Sequence, residues 1–221
     1  MNDIKKSRNI SSEKDIKKAY SKLSRIYGFF EGFFERKLRK RSLELLNIKP
    51  SNKILEIAFG TGHNLVDLGK IINDKGKIYG VDLTPEMIEK SRNRLKKNNL
   101  LDKVKLFQGN AKKLPFKNNS FEVVYISNAI ELFSDNDIMI VLNEIHRVLK
   151  SNGKVCVIDT SNNEKYKIVK FYKWLNKKFP SYTSSPIDIN SFVKNAGFKI
   201  IYEDQIKLFG FFPENIVIAK R

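Results

Sequence analysis

Residues 54–64 read Ile-Leu-Glu-Ile-Ala-Phe-Gly-Thr-Gly-His-Asn, and this stretch decides the fold. Ile54, Leu55 and Ile57 form an apolar run just long enough for a buried strand. The run enters a loop in which Gly60 and Gly62 can take backbone angles closed to residues that carry a Cβ. Leu65, Val66, Leu68 and Ile71 then recur at helical spacing. Strand, glycine turn and helix in succession bring bare backbone up against a nucleotide-like ligand. A second strand, residues 77–82, ends at Asp82, about twenty residues beyond the turn. A carboxylate there can accept both hydroxyl hydrogens of a ribose.

The glycine spacing narrows the ligand. A dinucleotide fold needs G-x-G-x-x-G, whose third glycine lets helix and strand close around a pyrophosphate. Here the spacing is Ala58-x-Gly60-x-Gly62, with Asn64 and Leu65 where that third glycine would stand. No phosphate-binding lysine follows, which excludes a P-loop. Glu56, just before the loop, repels a pyrophosphate but suits a ligand that carries an ammonium group.

These residues resemble motif I of the class I S-adenosylmethionine-dependent methyltransferases, (Asp/Glu)-x-Gly-x-Gly-x-Gly, with Ala58 in place of the first glycine. Four further blocks fall in the family's order: 80–87 (GVDLTPEM), 108–116 (QGNAKKLPF), 121–128 (FEVVYISN) and 144–154 (EIHRVLKSNGK). The resemblance covers residues 48–160. It implies S-adenosyl-L-methionine as cofactor and no metal. Glu56, Ala58, Gly60 and Gly62 would hold its amino-acid portion. Asp82 would hold the ribose and Leu83 would cover the adenine. Asn110, standing where the family has aspartate, and Ala111 would face the adenine amino group. Ser127 lies at the exit of the fourth strand. Asp82 also has a purely structural reading as a helix-start acid, although Thr84 before Pro85 suits that cap better.

Residues 19–27 (AYSKLSRIY) resemble the lead of the ubiquinone/menaquinone C-methyltransferase-like branch, and later segments resemble the phospholipid N-methyltransferases. In that branch the leading helix lids the cofactor, so Tyr20 carries over as a cofactor contact and Tyr27 as a catalytic-site ring. The aspartates that follow these tyrosines in the branch are Ser21 and Gly28 here.

Methyl transfer from a sulfonium is an in-line displacement, and the protein's part is to align the acceptor and exclude water. A general base is needed only where the acceptor loses a proton. Glu131, beyond the fourth strand, is the candidate base or acceptor-cation partner; a helix-start carboxylate is the competing reading. His63 reads either as a contact to the cofactor carboxylate or as a solvent-facing loop residue, and His146 as a structural residue on a polar helix face.

The chain has 221 residues, a net charge of +18 and one cysteine, Cys156, inside the apolar run 155–158. A buried lone thiol, a polar start and no bilayer-length apolar run point to a cytoplasmic protein. The charge has two readings. Only nine of the 42 cationic residues are arginine, and lysines lie in every segment, as a biased composition would give. Phe29, Phe30, Phe33 and Phe34 beside Arg36, Lys37, Arg39, Lys40 and Arg41 would instead suit peripheral contact with an anionic membrane, or a lid helix packed on the domain.

Periodicity predicts helices at 12–28, 30–46, 64–73, 86–97, 135–149, 165–178 and 188–196. It predicts a first strand on the run Ile54, Leu55 and Ile57, and further strands at 77–82, 104–108, 121–127, 154–159, 199–204 and 212–219. The expected fold class is α/β, a Rossmann-like seven-stranded, mostly parallel sheet with helices on both faces and the last strand antiparallel. Residues 1–47 would form an N-terminal helical lid and 48–221 the cofactor-binding domain. The function implied is methylation of a small or amphipathic acceptor, a quinone precursor or a phospholipid-like amine. Nucleic-acid methylation fits the charge, but residues 127–129 read Ser-Asn-Ala, without the Asn/Asp-Pro-Pro-aromatic turn used on base amines. A non-catalytic cofactor-binding subunit is the third possibility.

Overall fold

The computed structural model describes residues 36–178, 186–208 and 210–221. Its elements run α1 (Arg36–Leu46), β1 (Lys53–Ile57), α2 (His63–Ile71), β2 (Lys77–Asp82), α3 (Pro85–Lys97), β3 (Val104–Gln108) and β4 (Phe121–Ser127). There follow α4 (Asp135–Val148), β5 (Leu149–Thr160), α5 (Lys167–Lys178), α6 (Ile189–Asn195), β6 (Lys199–Leu208) and β7 (Phe212–Lys220). Short 3-10 turns at Leu101–Lys103 and Ile130–Leu132 precede β3 and α4.

The strands form one seven-stranded sheet in the order β3-β2-β1-β4-β5-β7-β6. β1 to β5 pair in parallel, and β7 runs antiparallel between β5 and β6. Alternation along the strands builds two apolar layers. Leu55, Ile57, Val124, Ile126, Val155 and Val157 meet α4 and α6 on one face. Ile54, Ile78, Val123, Tyr125, Cys156, Ile158 and Ile216 meet α1, α2 and α3 on the other. Strands buried on both faces read as nearly continuous Val/Ile runs for this reason.

Two strands are longer than the sequence pattern implies. β5 starts at Leu149 because Leu149 pairs with Phe121 before a register shift, so the ladder begins directly at the end of α4. β6 runs on to Leu208 because β7 offers it a partner along its whole length, down to Leu208 opposite Phe212. Both extensions come from pairing, which local periodicity does not encode.

The expected helix at 12–28, with Tyr20 and Tyr27, lies outside the described residues, as do Phe29, Phe30, Phe33 and Phe34. The described half of the second expected helix, α1, is a layer of the core. Leu38, Leu43 and Leu46 are buried, each contributing about 1.5–3 kcal/mol. Inside that layer the Ser42 and Tyr125 hydroxyls share a buried 2.8 Å hydrogen bond. Arg39 donates to Asp67 on α2 at 3.1 Å, and Lys154 of β5 caps α1 by donating to the Leu46 carbonyl at 2.9 Å. No described helix is long and apolar enough to cross a membrane.

Candidate cofactor and acceptor site

Because β1 to β5 are parallel, their C-terminal ends and the loops that follow share one edge of the sheet, where open α/β folds bind ligands. The loop after β1 is left-handed three times over: Ala58 has φ 53°, Gly60 φ 53° and Gly62 φ 79°. Helix α3 holds this loop from behind. Ser91 donates its hydroxyl to the Gly60 carbonyl at 2.9 Å, and Arg94 donates to the Thr61 carbonyl at 2.8 Å. A Cβ on Gly62 would come within 2.6 Å of the Ser91 hydroxyl oxygen, so glycine there is a packing requirement as well as a conformational one. His63 is engaged with the Arg94 guanidinium through Nδ1 at 3.1 Å.

Ala58 holds a conformation that costs an L-residue about 1–2 kcal/mol. It is pinned by its amide, which donates to the Val81 carbonyl at 2.7 Å, while its methyl packs partly on the core. Ala58→Gly removes the strain but adds about 0.5–1 kcal/mol of chain entropy to be lost on folding. The expected outcome is a gain of up to about 1 kcal/mol in urea unfolding. A loss of stability would mean that the methyl contact outweighs the strain.

Asp82, at the end of β2, is 8% exposed. One carboxylate oxygen accepts the Gly60 amide at 3.0 Å; the other accepts the Thr84 amide at 3.0 Å and the Thr84 hydroxyl at 2.9 Å. Burial raises its pKa, and these hydrogen bonds oppose the rise. Thr84 does sit at the N-cap of α3 before Pro85, yet its side chain makes no cap bond. Its hydroxyl is turned to Asp82, which corrects the capping role expected of it.

Leu83 follows Asp82, and its carbonyl accepts weakly from Gln108 at 3.4 Å. Asn110 uses its side-chain carbonyl to accept the Lys112 amide at 2.9 Å, in a tight turn. Ala111 is buried among the aliphatic residues beneath this turn. Glu56 is buried on β1, and Ser127 closes β4. Asn128 then turns left-handed (φ 48°) and donates its amide to the Ile158 carbonyl at 2.9 Å, which ties the β4 exit to β5.

Glu131 lies in the first turn of the short 3-10 element beyond β4, as a helix-start acid would, and is only 6% exposed. Its neighbourhood holds a residue that the candidate set lacked. Asp159, next to the last residue of β5, has no solvent exposure. Burial first, then the charges of Glu131 and Glu214, push its pKa well above the usual carboxylate range; the Asn215 side chain opposes this. Glu214 is itself buried and accepts the Thr160 hydroxyl at 3.3 Å. The signal was an acid directly after the apolar run 155–158, much as Asp82 follows the apolar part of β2. Asn64 was also missed: just past the loop, its side-chain oxygen and nitrogen are both buried without a hydrogen-bond partner among the described residues.

His146 stacks edge-on against Phe198 at 5.2 Å, and burial lowers its pKa. Burial raises the Cys156 thiol far above its ordinary value, which leaves it inert. No group of His, Cys, Asp and Glu among the described residues is arranged to hold a metal.

The residues fit S-adenosylmethionine. A glycine cradle braced from α3, a buried carboxylate at the end of β2 and an orphaned amide beside the loop together want a polar, partly cationic ligand.

Comparison with known proteins agrees with this geometry. Residues 2–193 match the model of the ubiE/COQ5 methyltransferase family. A demethylmenaquinone methyltransferase of Geobacillus sp. (strain WCH70) is 30% identical over 146 residues, 66% of this chain and 60% of that protein. One from Listeria welshimeri is 31% identical over 155 residues, 68% of this chain and 64% of that protein. The chain thus aligns with less than two thirds of the length of these relatives. Among solved structures, a SAM-dependent methyltransferase from Aquifex aeolicus superposes with a TM-score of 0.67 at 19% identity, covering 90% of this chain and 97% of that one. A putative methyltransferase complexed with the Trm112 activator of Haloferax volcanii gives 0.75 at 16% identity, covering 93% and 96%. Those two likenesses speak for the fold. The family match runs through glycine loop, Asp82 and the exits of β4 and β5 alike, and the chain belongs to the ubiE/COQ5 methyltransferase family.

Proposed function

We propose that the protein transfers a methyl group from S-adenosylmethionine to a ring carbon of a reduced, amphipathic quinone. The observation that carries this reading is the buried carboxyl pair Glu131 and Asp159 at the exits of β4 and β5, on the same sheet edge as the glycine loop. The names of the relatives, demethylmenaquinone methyltransferases, support the acceptor class.

When bound, S-adenosylmethionine supplies an electrophilic methyl on a positively charged sulfur. Glu56 and the loop at Gly60 hold the amino-acid end, Asp82 the ribose, and Asn110 with Ala111 and Leu83 the adenine. Glu131 takes the proton from a ring hydroxyl, which raises electron density at the neighbouring ring carbon. That carbon would take up the methyl the cofactor supplies, the cofactor departing as its neutral thioether, and would lose its own hydrogen as a proton. Burial and the neighbouring charges of Glu131 and Glu214 raise the pKa of Asp159, which favours its neutral form beside Glu131.

Incubating the full chain with methyl-labelled S-adenosylmethionine and, in parallel, demethylmenaquinol, phosphatidylethanolamine and total RNA tests this. Label should enter the quinol carbon skeleton alone. Label in the lipid amine or in RNA overturns the quinol reading.

A further inference from the structure

Helix α5 reads Lys-Ile-Val-Lys-Phe-Tyr-Lys-Trp-Leu-Asn-Lys-Lys and contains no acid. Its inner side is anchored: Val169 is fully buried, and the Tyr172 ring meets Phe212 edge-on at 5.7 Å. Its outer side is the unusual part. Phe171 and Trp174 are 54% and 51% exposed and stack on each other at 5.7 Å. Lys167, Lys170, Lys177 and Lys178 are exposed around them, and the Lys178 ammonium lies 5.0 Å from the Trp174 ring centre. Glu164, just before the helix, pairs with Lys173 at 2.7 Å and is, among the described residues, the one acid beside this cluster of lysines.

The patch continues onto the turn between β6 and β7, where Phe211 is 56% exposed. Strand register fixes which edge of the sheet this is. Thr160, the last residue of β5, lies opposite Glu214, and Leu208 lies opposite Phe212. The β6–β7 turn is therefore at the C-terminal edge of the parallel strands, the edge that carries the candidate site. Exposed rings at this density mark a contact surface. A single-sign ring of lysines around them fits a negatively charged partner. The rings stack on each other and lie on a convex helix rather than in a groove, which favours a lipid surface over stacked bases.

We propose that α5 lies flat on an anionic lipid surface, with Phe171, Trp174 and Phe211 entering the headgroup layer, and so turns the acceptor edge of the sheet toward the bilayer. The lipid contact stands on these observations alone; only the idea that the acceptor arrives from the bilayer rests on the quinol reading.

Trp174 is the single tryptophan of the chain, so it reports on this surface directly. The full chain is titrated with phosphatidylcholine vesicles with and without phosphatidylglycerol, and with bromine-labelled acyl chains. Trp174 emission should shift to the blue and be quenched by the bromolipids only when phosphatidylglycerol is present. Raising salt from about 0.1 M to about 1 M, which cuts the screening length from about 10 Å to about 3 Å, should reverse the effect. Phe171→Glu, and Lys170→Glu combined with Lys177→Glu, should each weaken vesicle partitioning about tenfold or more. Both variants should keep S-adenosylmethionine affinity by calorimetry and turnover on a short-chain, water-soluble quinol. Vesicle binding without any change at Trp174 would overturn the proposal, as would no binding. Stronger quenching of Trp174 by RNA than by anionic vesicles would overturn it in favour of a nucleic acid. Failure of the soluble quinol to accept methyl in the wild-type protein counts against the function, not against the lipid contact.

Discussion

Asp82→Ala is expected to weaken S-adenosylmethionine binding by about 10²–10⁴-fold. A ribose offers two hydroxyl donors, and a hydrogen bond to a charged acceptor is worth about 1.5–3 kcal/mol. Losing both costs about 3–6 kcal/mol, and each 1.4 kcal/mol is about tenfold in affinity. The substitution also releases the Gly60 amide, which Asp82 holds at 3.0 Å, so the glycine loop loses a restraint as well as the ligand a partner. Asp82→Asn keeps an acceptor and should fall between the two. The pH dependence follows from the raised pKa of Asp82 in the free protein. Binding needs the carboxylate, so affinity falls as pH falls, and the fall begins at a higher pH than an ordinary aspartate would give. Calorimetry across pH on wild type and both variants measures all three effects. An alanine variant that binds as tightly as wild type removes the ribose assignment.

Glu131→Gln should lower kcat on the quinol by about 10²–10⁴-fold, the usual range for losing a general base, while cofactor affinity is unchanged. The amide keeps the shape of the carboxylate but accepts no proton. Its companion Asp159 reports on the same pair through stability. The folded pKa of Asp159 lies well above the unfolded value of 3.8. In the interval between those two values the folded chain binds more protons than the unfolded one. Asp159 therefore contributes its full stabilisation below pH 3.8 and loses it as pH rises toward the folded pKa, at about 1.4 kcal/mol per pH unit. Asp159→Asn carries no such penalty. Its stability relative to wild type should rise from pH 4 to pH 7, as read from denaturant midpoints. A constant difference would mean that the Asp159 pKa is not raised in the folded protein. Glu131→Gln with normal turnover would show that the acceptor loses its proton elsewhere.

The two carboxylates differ in how they could be found. Asp82 was legible because it closes a strand at a fixed distance from a glycine loop, a relation that lives within some thirty residues of chain. Asp159 lies next to the end of its strand, yet nothing local says that its pKa is raised. That shift depends on Glu131 beyond β4 and Glu214 on β7, which reach it only when β5 is buried between β4 and β7. Desolvation and like-charge proximity are properties of the assembled interior.

The sequence by itself determined the alternation of strands and helices, the mostly parallel sheet, the glycine loop and the buried state of Cys156. Each follows from hydrophobic periodicity or from a residue whose backbone freedom is intrinsic. Only the tertiary structure decided the placement of β7 between β5 and β6, the turning of the Thr84 hydroxyl from its helix to Asp82, and the left-handed strain at Ala58. It alone exposed the outer rings of α5, whose pattern would equally suit a helix buried against a neighbour. The Thr84–Asp82 contact spans only two residues; in the other cases the deciding energy comes from partners far apart in the chain, which meet only once the sheet has closed over its core.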